Sequence, residues 1–357
     1  MLGPLLIRAD ASPKIGAGHV MRCLALAQAW QADGGSVMFV GNMTPILENQ
    51  LAAENIKVRN LKVKAGSLKD ADRTVRHAKA LDVSWVVVDG YHFGGDYQHR
   101  LRESGLRVLF IDDYGHADRY EADLVLNQNI DADEGLYANR GEHTDLLLGP
   151  TFALLRKEFW PWREPRREIQ AEADHVLVTL GGADPKNLTT EAIQAFAELE
   201  TLGVRGTAVV GGGNPHEERI RAAAESVGFP VTVLQNVNDM AELMAGTDLA
   251  VSAGGSTCWE LAFMGIPSAI VVLAENQREI ARGLDEAGAA VNLGWHESIG
   301  APEVASSITS LLRSDRKRCR MAQTAQALVD GKGTERVLGK MRSIVRTAPP
   351  HQFRSAS

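Results

Sequence analysis

What most restricts the fold of this chain is the spacing of its apolar runs. Short segments rich in Val, Ile and Leu at 5–8, 36–40, 85–88, 108–111 and 124–126 alternate with helical patterns such as 20–30. After an interruption the alternation resumes at 175–180, 206–210, 231–234, 249–252 and 268–273, with a helical pattern at 188–199. Short β-prone runs separated by helices are joined most simply as βαβ units in parallel sheets. The interruption, RKEFWPWREPRREIQAEAD, is rich in proline and charge, as inter-domain connections are. The spacing therefore predicts an α/β chain of two doubly wound, Rossmann-like domains facing a cleft. Residues 1–156 form the first, 157–172 the linker and 173–335 the second. Residues 336–357 are left for a C-terminal helix and a tail, TAPPHQFRSAS, that reads as disordered.

Composition sets the outer limits. A chain of 357 residues is long for one domain and comfortable for two, each burying its own core. Hydrophobic residues make up 45% and charged residues 23%, as in ordinary soluble proteins. The net charge of −7 leaves no basic footprint for nucleic acid, and the arginine clusters at 163–167 and 316–320 read as solvated faces. Three scattered cysteines, Cys23, Cys258 and Cys319, fit a reducing compartment and form neither a disulfide framework nor a cysteine zinc site. Pro4, Arg8 and Asp10 interrupt any signal-peptide core, and the apolar stretch at 266–274 is too short to span a bilayer. The expectation is a cytoplasmic protein that binds neither nucleic acid nor membrane, with no obligate protein partner evident.

In open α/β sheets ligands sit beyond the carboxyl ends of the strands. In the first half those positions hold Asp10, residues 16–19, Asp89-Gly90-Tyr91-His92, Asp112-Asp113-Tyr114 and Asn127-Gln128-Asn129. In the second half they hold Gly181-Gly182, Gly211-Gly212-Gly213, residues 252–257 and Glu275-Asn276-Gln277. Titratable groups dominate one set, and glycines and hydroxyls the other. The division suggests one domain for chemistry and one for a phosphorylated ligand.

The stretch VSAGGSTCWELAFMGIP carries the second role. A strand ends at Ser252, two glycines follow, and Ser256 and Thr257 open a helix whose free amides and dipole suit a pyrophosphate. The plainer reading is a strand-to-helix turn with a hydroxyl N-cap. Glu260, one turn in, is either a solvated residue or an acceptor for ribose hydroxyls. Gly16-Ala17-Gly18 fails the dinucleotide fingerprint because Met21 stands where the third glycine belongs, and no GxxxxGK[ST] occurs. Neither a nicotinamide nor ATP is expected. Asp70-Ala71-Asp72 and Asp131-Ala132-Asp133 are too short to argue for a metal, and no HExxH is present. No cofactor and no metal are expected.

His19 follows the small residues at the mouth of a helix. It is either a polar residue bonded locally or a base facing the crevice, where a helix N-terminus disfavours the imidazolium. Tyr91 is a better ligand candidate than His92. The acids Asp10, Asp89, Asp112 and Asp113 more commonly cap turns, and Trp160, Trp162 and Trp259 read as packing residues.

Taken together and in order, RADASPKIGAGHVMRCLALAQ, VVDGYHF, LVTLGGADPKN and AGGSTCWELAFMGIPSAIVVLAENQ resemble the UDP-sugar hydrolases of pseudaminic acid biosynthesis. The resemblance covers about residues 5–340, and the co-occurrence of IGxGHxxR with ENQ makes it specific. It implies the two-domain GT-B fold, shared with the UDP-GlcNAc transferase of peptidoglycan synthesis, and UDP-2,4-diacetamido-2,4,6-trideoxy-β-L-altropyranose as substrate. By the resemblance His19 is catalytic, and Tyr91, Asn276 and Gln277 lie at the sugar, with Asp10, Gly16 and Gly18 beside them. UDP falls on Gly182, Gly212, Gly254, Gly255, Ser256 and Thr257, with Glu260 on the ribose. Water would then attack C1 with inversion. A GT-B glycosyltransferase with a true acceptor and a non-catalytic sugar-nucleotide-binding regulator are the rival expectations.

Overall fold

The computed structural model describes residues 2–344 except 13, 14, 183, 185 and 213. The tail TAPPHQFRSAS and Gly213 of the expected loop therefore lie outside the described residues. Among the described residues thirteen strands form two sheets. The first holds β1 Leu5–Ala9, β2 Val37–Val40, β3 Lys57–Arg59, β4 Trp85–Asp89, β5 Arg107–Ile111, β6 Leu124–Asn127 and β7 Asp145–Leu148. The second holds β8 His175–Thr179, β9 Arg205–Val210, β10 Val231–Gln235, β11 Leu249–Ala253, β12 Ser268–Val272 and β13 Val291–Trp295. Their orders are β3-β2-β1-β4-β5-β6-β7 and β10-β9-β8-β11-β12-β13. Every pairing is parallel.

Both sheets are buried on both faces, which is why their central strands are apolar without interruption. Along β1, Leu5, Ile7 and Ala9 enter one core cluster, with the helix Gly18–Ala32, while Leu6 enters the opposite one. In β8, Val176 and Val178 face one cluster and Leu177 the other. The last described helix, Gly333–Ser343, returns to the first half, where Val337, Leu338 and Met341 join the β1 cluster. Arg107 donates to the Ile344 carbonyl at 2.6 Å, which fastens that return.

Strand order reverses between β1 and β4 in the first sheet and between β8 and β11 in the second. Such switch points open a crevice at the carboxyl edge, because neighbouring connections depart to opposite faces.

The charged clusters depart from expectation. Arg318 is fully buried and donates to the carbonyls of Leu311, Leu312, Gln170 and Ala171, so it caps a helix end and forms no part of a solvated face. Arg166 and Arg167 donate to the Gln326 and Met244 carbonyls, which ties the linker down. Trp259 is buried as expected, but Trp162 is exposed and lines a cavity of about 230 Å³ with Phe263 and Val329. Among the described residues no helix is long and apolar enough to cross a membrane.

Candidate functional site

The switch point of the first sheet assembles a charged cluster. After β1 the chain turns through Gly16, whose φ of +81° lies in the left-handed region that favours glycine, and enters the helix at Gly18. Among the described residues no heavy atom stands within 4 Å of where a Cβ of Gly16 or Gly18 would be. His19 and Arg22, three residues apart, share one helix face and point to the end of β4.

Asp89, at the end of β4, receives both. His19 Nδ1 lies 2.6 Å from Asp89 Oδ1. Because an ionised carboxylate only accepts, that contact places the ring proton on Nδ1 and leaves Nε2 as the basic nitrogen. Nε2 has no hydrogen-bond partner among the described residues, and His19 lines a cavity of about 260 Å³ with Asp10, Ile15, Gly90, Tyr91 and His92. Arg22 forks onto Asp89, Nε to Oδ2 at 2.6 Å and Nη2 to Oδ1 at 2.7 Å, and reaches Asp113 Oδ1 through Nη1 at 2.5 Å. Burial alone would raise the Asp89 carboxyl, but the Arg22 and His19 partners hold it well below the usual carboxylate range.

The network continues across the cleft. The Tyr91 hydroxyl donates to Asp113 Oδ2 at 2.6 Å and accepts from Asn276 Nδ2, of the second half, at 2.9 Å. Burial and the Asp113 charge push the Tyr91 phenol far above its ordinary value, so it stays a neutral donor. Tyr91 is 37% exposed as a residue, and its ring stands edge-on to His19, centroids 4.8 Å apart. Elsewhere in the interface Ile130 packs so close to Gly283 that a Cβ there would collide with it.

Asp10 lines the same cavity as His19. Its Oδ1 accepts from the Asn42 amide at 2.7 Å, and its Oδ2 meets Arg8 at 2.8 Å and His92 Nε2 at 3.0 Å. With both oxygens occupied it orients His92 on the cavity wall. Of the acids expected to cap turns, only Asp112 does so among the strand-end acids of β4 and β5, accepting from the amides of Asp113 and Gly115 at 2.7 and 2.9 Å. Asp89 and Asp113 instead grip Arg22.

The second switch point is built of glycine. A Cβ on Gly211 would collide with the Gly182 carbonyl, so the loops after β8 and β9 touch backbone to backbone. Gly212 packs against the Asn236 side chain, and Gly254 against Gln277, whose Cβ and carbonyl lie 3.0 Å from a Cβ built there. Gln277 Oε1 accepts from the Leu273 amide at 2.9 Å. No described residue stands within 4 Å of where a Cβ of Gly255 would be. At the start of the helix Thr257–Met264, the amides and hydroxyls of Ser256 and Thr257 have no partner among the described residues. Glu260 is engaged: its Oε1 accepts from Arg156 Nη2 at 2.9 Å. Among the described residues no group of three or more His, Cys, Asp or Glu side chains is placed to hold a metal ion.

His19, Tyr91 and Asn276 are thus brought together, with Asp10, Gly16 and Gly18 around them. Gly182, Gly254, Gly255, Ser256 and Thr257 gather at the second switch point. Arg22, given no role beforehand, and Asp113, expected to cap a turn, hold the centre of the first.

The comparisons match both halves. The glycosyltransferase family 28 C-terminal domain matches residues 175–336, the whole second sheet. The crystal structure of MurG from Acinetobacter baumannii superposes with a TM-score of 0.66 at 19% identity, covering 96% of this chain and 100% of that one. The fold is GT-B.

Among curated relatives, the spore coat polysaccharide biosynthesis protein SpsG of Bacillus subtilis is 28% identical over 95% of this chain and 97% of its own length. The UDP-2,4-diacetamido-2,4,6-trideoxy-β-L-altropyranose hydrolase of Campylobacter jejuni is 23% identical over 80% of this chain and 97% of its own. The uncharacterized protein MJ1062 of Methanocaldococcus jannaschii is 25% identical over 77% of this chain, which spans only 57% of that relative.

Proposed function

We propose that this chain is an enzyme that cleaves a UDP-linked diacetamido-trideoxy sugar at its anomeric carbon with water, releasing UDP and the free sugar. The observation that carries the reading is the His19–Asp89 pair: His19 lines a cavity at the first switch point, and its Nε2 has no hydrogen-bond partner among the described residues. In the proposed step Nε2 removes a proton from water as the oxygen bonds C1. The C1–O bond to the β-phosphate breaks, its electron pair leaves with UDP, and the configuration inverts. Asp89 faces the charge that the ring acquires. The leaving pyrophosphate meets the free amides and hydroxyls of Ser256 and Thr257 at the helix start. The likeness to the Campylobacter hydrolase runs through both halves and supports water as acceptor.

A second reading is favoured by the glycosyltransferase match at 175–336: the same base would activate an acceptor hydroxyl. Incubation with a panel of UDP-sugars in H₂¹⁸O, with EDTA present, separates the two. Hydrolysis gives equal amounts of UDP and free sugar without any acceptor, with ¹⁸O in the sugar and the rate nearly intact in EDTA. UDP release only on addition of an acceptor would replace water by that acceptor. Label in UDP would mean attack at phosphorus, against the whole scheme.

The placement of UDP has its own test. Gly255 has a backbone open to other residues and space where a Cβ would stand, so Gly255→Leu is expected to fold normally. The added side chain should block the pyrophosphate and weaken UDP at least about tenfold, ~1.4 kcal/mol, by calorimetry. Unchanged affinity in a folded variant would remove this loop from the nucleotide site.

A further inference from the structure

We infer that Arg22 is the positioning residue of this site, acting through Asp89 to fix the plane and proton of the His19 ring; the inference rests on His19 being the base. Arg22 is 7% exposed, and three of its donors are committed, two to Asp89 and one to Asp113. A fork that holds both oxygens of one carboxylate prevents it from rotating about its own axis. Asp89 Oδ2 is occupied by Arg22 Nε and by the Cys23 thiol at 3.4 Å, so the ring proton is directed to Oδ1. Arg22 Nη2 also lies 3.2 Å from His19 Nδ1, which closes the space into which the ring could tilt. Nε2 is left with one direction, into the cavity.

The third arm of the fork sets where the guanidinium itself sits. Asp113 holds Nη1 through Oδ1, to which Asn129 Nδ2 also donates at 3.3 Å, while its Oδ2 takes the Tyr91 hydroxyl. Tyr91 is in turn bonded to Asn276. The orientation of the base is therefore braced by groups on β4, on the loops after β5 and β6, and on the second domain. A lysine at 22 would supply the charge but not the planar fork, so charge and geometry can be separated by substitution.

The test compares wild type, Arg22→Lys, Asp113→Asn and His19→Asn as full chains. Turnover is measured with UDP-2,4-diacetamido-2,4,6-trideoxy-β-L-altropyranose, UDP affinity by calorimetry, and the His19 Nδ1–H proton by its low-field NMR resonance. Arg22→Lys should lower kcat about 10²-fold with KM and UDP affinity nearly unchanged, the scale of a misplaced reacting group. It should also broaden or shift the Nδ1–H resonance. A folded Arg22→Lys with near wild-type kcat, or with the resonance unmoved, overturns the inference. Should Arg22→Lys not fold, Asp113→Asn decides: a fall in kcat with the resonance shifted supports the brace, and wild-type kcat overturns it. Near-normal turnover in His19→Asn would instead overturn the proposed base. The resonance in Arg22→Lys would still decide the positioning claim, because it does not depend on catalysis.

Discussion

His19→Asn is expected to lower turnover by about 10²–10⁴-fold, the scale of a lost general base, while UDP affinity stays within about twofold. The amide can still donate to Asp89, so the buried cluster keeps its hydrogen bond and the variant should fold. What it lacks is a basic nitrogen at the cavity wall. Ser256 and Thr257, proposed to face the pyrophosphate, open a helix of the second half and touch none of the altered atoms. Steady-state release of UDP and calorimetric titration together check both halves of the expectation. A variant with near-normal turnover would strip His19 of its role, whatever the UDP affinity proved to be. A variant that loses UDP affinity as much as turnover would mean that the first half holds the nucleotide too.

How much of this could be read in the sequence follows from what each element buries. The central strands were legible because both of their faces are covered: all five residues of β1, β4, β8, β11 and β12 are buried. The edge strands β3, β7 and β13 were not, because partial exposure lets polar residues such as Lys57, Arg59, Asp145 and Asn292 interrupt the apolar signal. The helical pattern at 188–199 ends differently as well. The α-helix stops at Ala195 and tightens into a 3₁₀ turn over Phe196–Leu202. Phe196 and Leu199 are both buried three residues apart, the spacing at which such a turn stacks side chains.

In the site, His19 could be found because Gly16 and Gly18 precede it at a strand-to-helix turn. Arg22 could not be found by composition, since an arginine on a helix most often reaches solvent. A signal was nevertheless present. Asp89 and Asp113 stand at the ends of adjacent strands, β4 and β5, and His92, His116 and Arg119 of the loops that follow pair instead with Asp10, Asp112 and Glu121. Two such carboxylates near one switch point require a buried partner. The residue one turn beyond His19 was in position to be it. Arg318 was missed for a related reason: a charged run reads as surface, yet one guanidinium can satisfy the carbonyls at a helix end.

Asp89→Asn is expected to have the largest combined effect. On catalysis, the new amide can present Nδ2–H to the ring, which would shift the imidazole proton to Nε2 and leave no base at the cavity. Conversion of the orienting carboxylate of a Ser–His–Asp triad to its amide costs about 10⁴-fold, and the same order is expected here. On stability, the substitution leaves the buried Arg22 with Asp113 as its remaining carboxylate, a loss on the order of 3 kcal/mol at neutral pH. For a domain of this size that lowers the melting temperature by about 6–12 °C. The pH dependence has a definite sign. Burial opposes the Asp89 charge, but Arg22 and His19 outweigh it and depress the folded-state pKa below the usual carboxylate range. Its contribution is therefore complete above the unfolded value, about 3.9, and is lost as pH falls towards the folded value. Thermal melts from pH 7 downward should show wild type far above Asp89→Asn at neutrality, with the two converging below about pH 4. Parallel curves over that range would mean that Asp89 is not the ionised centre of the cluster, and with it would go the tautomer that places the basic nitrogen of His19 at the cavity.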